Sequence, residues 1–425
     1  MEKLVIEGGR PLAGRIRIHG AKNAALPILA AAILSEGTHT IDNVPDLLDI
    51  KSMLDILRSL GCRAEHIRQK VTLDTSMMHS WHIPEHLMRQ MRSSIFLMGP
   101  LLSRFGKVQF YQPGGCAIGD RKIDLHLKGL QALGARIEEV AGTILCTADR
   151  LKGAEFFLDL PSVGATENIM MAAVTADGTT TLHNAAREPE IQDLQRFLNA
   201  MGANVTGAGT ETIVIHGVSN LKPREYRIIP DRIVAGTMMV AAAVTRGSVT
   251  IEGVFPEHLT AVQHVLLRAG VHISCEDDII VVDSKTQPKA IDRIVTAPYP
   301  AFPTDLQAQA MVLLSLADGL SIIKETIFEG RFRHVGELNR MGADIRLDLN
   351  SAFIRGVPRL YGATVEATDL RAGAALVLAG LAAKGTTVIE RVYHIDRGYD
   401  RIESMLRHLG GNVERYSALP KSSLA

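Results

Sequence analysis

The heptapeptide Ser59–Glu65, SLGCRAE, decides the fold because five altered copies of it follow. They are ALGARIE at 132–138, AMGANVT at 200–206, RAGVHIS at 268–274, RMGADIR at 340–346 and HLGGNVE at 408–414. Their glycines are Gly61, Gly134, Gly202, Gly270, Gly342 and Gly410, at intervals of 73, 68, 68, 72 and 68 residues. In each copy an apolar residue ends a helix and a strand begins just after the glycine. Glycine belongs there because it enters the left-handed region cheaply, which lets the chain leave the helix. The helix before Gly61 is amphipathic, with Leu47, Ile50, Leu54 and Leu57 on one face.

A second glycine keeps step with the first. It occurs as SEGTHTI (Gly37), RFGKVQF (Gly106), ADGTTTL (Gly178), TRGSVTI (Gly247), ADGLSII (Gly319) and AKGTTVI (Gly385), always 23 to 28 residues earlier. Two markers in register six times define a repeat. Each unit reads as a buried helix, a strand, an amphipathic helix, then one or two strands. Such a unit cannot bury its faces alone, so copies must close around a shared core. The expected class is α/β, with six units split three and three. The segment 218–230, VSNLKPREYRIIP, is the natural crossing, and the strand at 3–7 completes the last repeat. The expected domains are 1–20 with 230–425, and 21–229.

The bulk properties set limits. The chain has 425 residues, 46% hydrophobic and 22% charged, so a large core is expected and disorder is not. Its 46 basic and 46 acidic residues balance, which argues against a surface spread with nucleic-acid contacts. The four cysteines Cys62, Cys116, Cys146 and Cys275 form no CxxC pair. The apolar runs 24–34 and 372–383 fall short of the ~20 residues a membrane span needs and read as buried helices. A cytoplasmic protein with no membrane partner is the expectation.

The repeats align the unusual residues at the starts of the apolar helices. These are AKNAAL (Lys22, Asn23), MRSSIF (Arg92), SVGATEN (Ser162, Val163, Gly164), DRIVAG (Asp231), PTDLQA (Thr304, Asp305) and TDLRAG (Asp369, Arg371). Helix N-termini present unpaired N–H groups and a positive dipole end, which suits anions. For Asp231, Asp305 and Asp369 the ordinary reading is N-capping. Lys22 is unfavourable at a helix N-terminus without an anionic partner. The loops after the strands contribute Arg331, Arg397, the cluster Arg187–Glu190 and the stretch PGGCAIGDRKID at 113–124. In that stretch glycines precede Cys116, and Arg121 and Lys122 follow; neighbouring cations favour the reactive thiolate. Arg187, Glu188 and Glu190 read as a solvated loop network. His79, His82 and His86 show no metal-ligand spacing, and no metal is expected. No P-loop or GxGxxG occurs, so phosphates would rest on arginines and helix ends. If equivalent ends of the two domains face each other, they form a basic cleft for a multiply anionic small molecule.

These stretches, with GAKNAALPILAA, MRSSIFLMGPL, NAAREPEI, PAFPTDLQAQ, TDLRAGAALVLAG and HIDRGYDRIE, resemble the UDP-N-acetylglucosamine enolpyruvyl transferase family over roughly residues 2–415. The resemblance implies two pseudo-threefold domains of three βαβαββ units each, an inside-out α/β barrel arrangement around buried helices. It implies transfer of enolpyruvyl from phosphoenolpyruvate to the sugar 3-hydroxyl, the first committed step of peptidoglycan synthesis. No cofactor is implied. Cys116 would donate a proton and be able to add covalently to phosphoenolpyruvate, and Asp305 would be the base. Lys22, Arg121 and Arg397 would hold the phosphate, and Arg331 and Arg371 the carboxylate, with Asn23 alongside. Asn23, Arg92, Arg121, Lys122, Ile123, Asp124, Leu125, Ser162, Val163, Gly164, Asp305 and Ile327 would fall at nucleotide-sugar positions, and Asp369 would be a supporting catalytic carboxylate. Phe96, Lys122 and Leu160 stand where some members carry Trp, Pro and Lys, so a cation at 122 could replace one at 160. The alternatives are transfer to shikimate 3-phosphate, or a catalytically silent relative that senses a nucleotide sugar.

Overall fold

The computed structural model describes residues 2–111 and 123–417. Six apolar helices organise it: α1 (Lys22–Ala31), α2 (Met98–Phe105), α3 (Val163–Ala173), α4 (Arg232–Val244), α5 (Gln307–Ser315) and α6 (Leu370–Ala382). Every residue of α4 from Ile233 onward is buried, and so are all nine of α5. A helix apolar on all sides has no face for water and must be wrapped. Small residues allow the close approach. A Cβ on Gly99 of α2 would stand 2.3 Å from the Asn168 carbonyl of α3, and one on Gly236 of α4 would stand 2.5 Å from Leu306.

After each buried helix comes a five-residue strand: Thr38–Asp42, Lys107–Tyr111, Thr179–His183, Ser248–Glu252, Leu320–Lys324 and Thr386–Glu390. All six share one burial pattern, with the second and fourth residues fully covered. That is the alternation of a sheet with one face on a core. Each strand has an antiparallel neighbour on one side and a parallel partner on the other, giving six small sheets. In the second copy the parallel partner shrinks to a single bridge, His82 to Gln109.

The described residues form two compact units, 2–18 with 230–417 and 19–111 with 123–229. Each holds three of the sheets, one of them completed by a strand from far along the chain. Glu225–Arg227 pairs in parallel with Thr38–Asp42 in one unit, and Ala13–Arg17 with Ser248–Glu252 in the other. Glu2–Glu7 lies between Thr386–Glu390 and Asn412–Ser417, so the N-terminal strand completes the last repeat. The three buried helices of the unit holding residues 230–417 pack against one another pairwise.

The six glycines of the first marker all have φ between +83° and +110°. Five of the second marker are also left-handed; Gly247 is not. There Arg246 takes φ +54°, and Gly247 is needed because a Cβ would come within 2.1 Å of the Leu12 carbonyl.

Candidate active site

In the unit built from residues 230–417, three aspartates open three buried segments and meet different fates. Asp231 caps α4, its carboxylate accepting from the amides of Ile233 and Val234. Asp369 caps α6 in the same way, accepting from Arg371 and Ala372. Asp305 does not cap. It sits in a 3-10 turn, Thr304–Leu306, that follows Pro303. Its two oxygens instead take one guanidinium each. Arg331 Nη2 donates to Oδ1 at 2.7 Å, and Arg371 Nη2 donates to Oδ2 at 2.9 Å. Both arginine side chains are 4% exposed, against 25% for Asp305. Burial works against the Arg371 charge, but Asp305, then Tyr399 and Asp231, outweigh it and hold its pKa above the ordinary range.

Around this triad lie buried polar atoms without a partner. They include Arg331 Nε, Arg371 Nη1, both polar ends of the Gln307 amide, and both ring nitrogens of His334. Buried polar groups are ordinarily paired, so such a group of orphans marks a place where a polar ligand or water belongs. Burial pushes His334 down to about 4 against the pull of Asp369, with Arg331 adding to the fall. A neutral imidazole is therefore the form at neutral pH. Glu325 is buried and saturated. It accepts from the hydroxyls of Thr296 and Thr304 and from the amides of Ile327 and Phe328, which fixes the turn bearing Ile327 beside the residue preceding Asp305.

Arg397 ends a 3-10 segment, Val392–Arg397. Its neighbour Asp396 receives two bonds from Arg415, at 2.7 and 2.9 Å, and Arg415 also bonds Glu403 and Glu2. This paired-fork geometry ties the Arg397 segment to the last strand.

The other unit carries the remaining described candidates. Lys22 is the first residue of α1 and buried, and its Nζ donates to Asp49 Oδ2 at 2.9 Å. The anion that its position calls for thus includes a carboxylate from the following helix. Asn23 is half-buried beside it, and Arg92 begins the 3-10 turn Arg92–Leu97. Ser162 caps α3, its hydroxyl accepting from Ala165. Val163 and Gly164 open that helix, and Gly164 leaves room for two rings: a Cβ would meet His126 at 3.0 Å and Phe96 at 3.3 Å. Ile123, Asp124 and Leu125 form the start of the helix Asp124–Ala132. His126 is held neutral by burial, then by Arg92, with its pKa down at about 3. Leu160 is exposed.

One expectation is overturned. Glu190 is buried, not solvated, on the inner face of the helix Pro189–Met201. With Glu188 it adds to the burial that raises Glu167, itself fully enclosed, well above the usual carboxylate range. Arg187 is half-buried and pairs with Glu211 at 3.6 Å.

Cys116, Arg121 and Lys122 lie outside the described residues. The other thiols still bear on Cys116. Burial pushes Cys62 and Cys146 up to about 12, and Cys275 is exposed but also raised by partial desolvation. An epoxide phosphonate should therefore label Cys116 first, Cys275 slowly, and Cys62 and Cys146 not at all in the native protein. Peptide mass spectrometry over a time course checks this; equal labelling of Cys116 and Cys275 would show that the 113–124 stretch does not activate its thiol.

Asp49, His334, Gln307 and Tyr399 escaped the sequence reading. Asp49 had a readable signal, because it shares a helix stripe with the buried Met53 and Ile56.

Comparison with known proteins defines the class first. A family model described as EPSP synthase (3-phosphoshikimate 1-carboxyvinyltransferase) matches residues 6–406, and the chain belongs to this family of enolpyruvyl transferases. Within it, the chain is 54% identical over 98% of its length to UDP-N-acetylglucosamine 1-carboxyvinyltransferase 2 of Caldanaerobacter subterraneus, all of which is covered. It is 52% identical, over 98% of the chain and 97% of the relative, to the UDP-N-acetylglucosamine 1-carboxyvinyltransferase of Coxiella burnetii. Among solved structures, the enolpyruvyl transferase NikO of Streptomyces tendae superposes with a TM-score of 0.88 at 27% identity, covering 98% of this chain and 99% of that one. EPSP synthase of Acinetobacter baumannii shares the fold at a TM-score of 0.76 and 20% identity, covering 98% of this chain and all of that one. Among the described residues no helix is long and apolar enough to cross a membrane.

Proposed function

We propose that this chain transfers the enolpyruvyl group of phosphoenolpyruvate to the 3-hydroxyl of UDP-N-acetylglucosamine and releases phosphate, a cytoplasmic step of peptidoglycan synthesis. The names of relatives more than half identical over nearly the whole chain support the acceptor. The observation that carries the chemistry is the carboxylate of Asp305 held between two buried arginines with spare donors.

In the addition step the sugar O–H bond breaks, its oxygen bonds C2 of phosphoenolpyruvate, and C3 gains a proton. In the elimination step C3 loses a proton and the C2–phosphate bond breaks. C2 becomes electrophilic only as C3 is protonated, so an acid and a base are both needed. Asp305 serves as the base at the sugar hydroxyl and Cys116 as the proton donor. Arg331 and Arg371 take the substrate carboxylate, and Lys22, Arg121 and Arg397 the phosphate. Asn23 completes these contacts, and Asp369, fixed as a helix cap, supports them. Two guanidinium groups occupy the Asp305 carboxylate, and a substrate carboxylate that draws them away frees its oxygens to accept the sugar proton. No metal or cofactor is called for in these steps, and the one covalent bond that the protein itself can form is to phosphoenolpyruvate at Cys116.

The test is phosphate release from phosphoenolpyruvate with either acceptor. Release only with UDP-N-acetylglucosamine is expected. Release only with shikimate 3-phosphate would assign the sister reaction, and release with neither would leave a silent relative.

A further inference from the structure

Tyr399 is 1% exposed and two residues beyond Arg397. Its hydrogen bonds leave it one orientation. The Thr237 hydroxyl donates to the Ile233 carbonyl at 2.8 Å, so at the 2.8 Å contact between Tyr399 Oη and Thr237 Oγ1 the phenol must donate. Gln309 Nε2 then donates to both oxygens at 3.2 Å. Thr237 belongs to α4 and Gln309 to α5, so the tip of one phenol joins two of the unit's three buried helices. Its ring meets the third: the Arg371 guanidinium of α6 lies over the Tyr399 face, Cζ 5.6 Å from the ring centre. A ring face is the negative side of an aromatic quadrupole, and it attracts a desolvated cation strongly. Arg371 is fully buried and paired with Asp305.

The geometry points to Tyr399 as a positioning residue for the substrate carboxylate: its ring is the floor that aims Arg371. This rests on the reading that Arg371 takes that carboxylate. When substrate draws Arg371 from Asp305, the guanidinium still needs a fixed plane, and the ring supplies it while the phenol favours the Arg371 charge. The same residue ends the segment that carries Arg397, with its amide bonded to the Ile395 carbonyl at 3.0 Å. One anchored side chain thereby sets the floor under Arg371 and the end of the Arg397 turn.

The test is steady-state kinetics by phosphate release on the full chain. Tyr399→Leu should raise KM for phosphoenolpyruvate at least tenfold and leave KM for UDP-N-acetylglucosamine within threefold. Tyr399→Phe keeps the ring and should stay within threefold for both. A merely structural role would lower the melting temperature and move neither KM. If Tyr399→Leu does not fold, pentafluorophenylalanine at 399 keeps the shape but reverses the ring's charge face. It should raise KM for phosphoenolpyruvate at least threefold over Tyr399→Phe, and equal values would overturn the inference. A parent protein that releases no phosphate would sink the functional reading and the inference together. A parent that turns over, with variants that match it, would sink the inference alone.

Discussion

Asp305→Ala releases phosphate at no more than about one-thousandth of the parent rate, and it destabilises its own unit by about 3 kcal/mol. The two effects have one cause seen from two sides. The carboxylate is the proposed acceptor of the sugar proton, and general-base catalysis contributes about 10²- to 10⁴-fold. The same carboxylate neutralises Arg331 and Arg371, both 4% exposed. Its removal takes the paired carboxylate from two buried cations, and breaking a buried pair in this way costs about 3–5 kcal/mol. Asp305→Asn separates the effects. It keeps the shape and an acceptor oxygen for one arginine, so the stability loss shrinks while the activity loss stays. Phosphate release and urea unfolding at neutral pH read the two quantities. Asp305→Ala with a tenth or more of the parent rate would remove the residue from the proton transfer. An Asp305→Ala protein as stable as its parent would show that solvent already compensates the arginines.

The repeat was legible because it is written in backbone requirements. A left-handed glycine past a helix end is imposed locally, so six glycines in register reveal six units without knowledge of their neighbours. Strand exchange was only partly legible. Glu2–Glu7 stood out as a strand with no helix before it, whereas three-residue Glu225–Arg227 has too little pattern to name its partner. The site was legible as a roster of cations at equivalent ends. What the residues do to one another was not. Nothing local distinguishes Asp305 from Asp231 and Asp369, because all three stand where caps stand; the difference is that Arg331 comes from another loop and Arg371 from another helix. Glu190 is hidden for the same reason: it shares the stripe of Asp193, Leu194 and Phe197, but its charge beside Arg187 and Glu188 has the pattern of a surface loop.

Acidification from pH 6.5 to 4 should remove several kcal/mol of stability, and three buried histidines set that window. His39 is lowered to about 4 by burial, His126 to about 3 and His334 to about 4, against about 6.5 for an unfolded histidine. Their rings are neutral in the fold for visible reasons. His39 Nδ1 accepts from the Arg224 amide, and His126 Nδ1 accepts from Asn168 Nδ2 at 2.9 Å. Between pH 6.5 and 4 the unfolded chain binds more protons than the native one, so stability rises with pH there and is lost as pH falls. Each ring contributes about 3 kcal/mol at most. Asp193 acts the other way. Burial raises it to about 6 despite bonds from Tyr226 and Ile229, so the native state holds its proton first and acid relieves it. Glu167, raised by burial and then by Glu190 and Glu188, acts in the same sense as Asp193, and two opposing carboxyls do not balance three imidazoles. His39→Gln should flatten the dependence of unfolding free energy on pH between 6 and 4.5 by up to ~1.4 kcal/mol per pH unit, the contribution of one proton. Urea titrations of parent and variant across that range measure the slope. Identical slopes would mean that His39 is already charged in the folded protein, and that the Arg224 amide has found another acceptor.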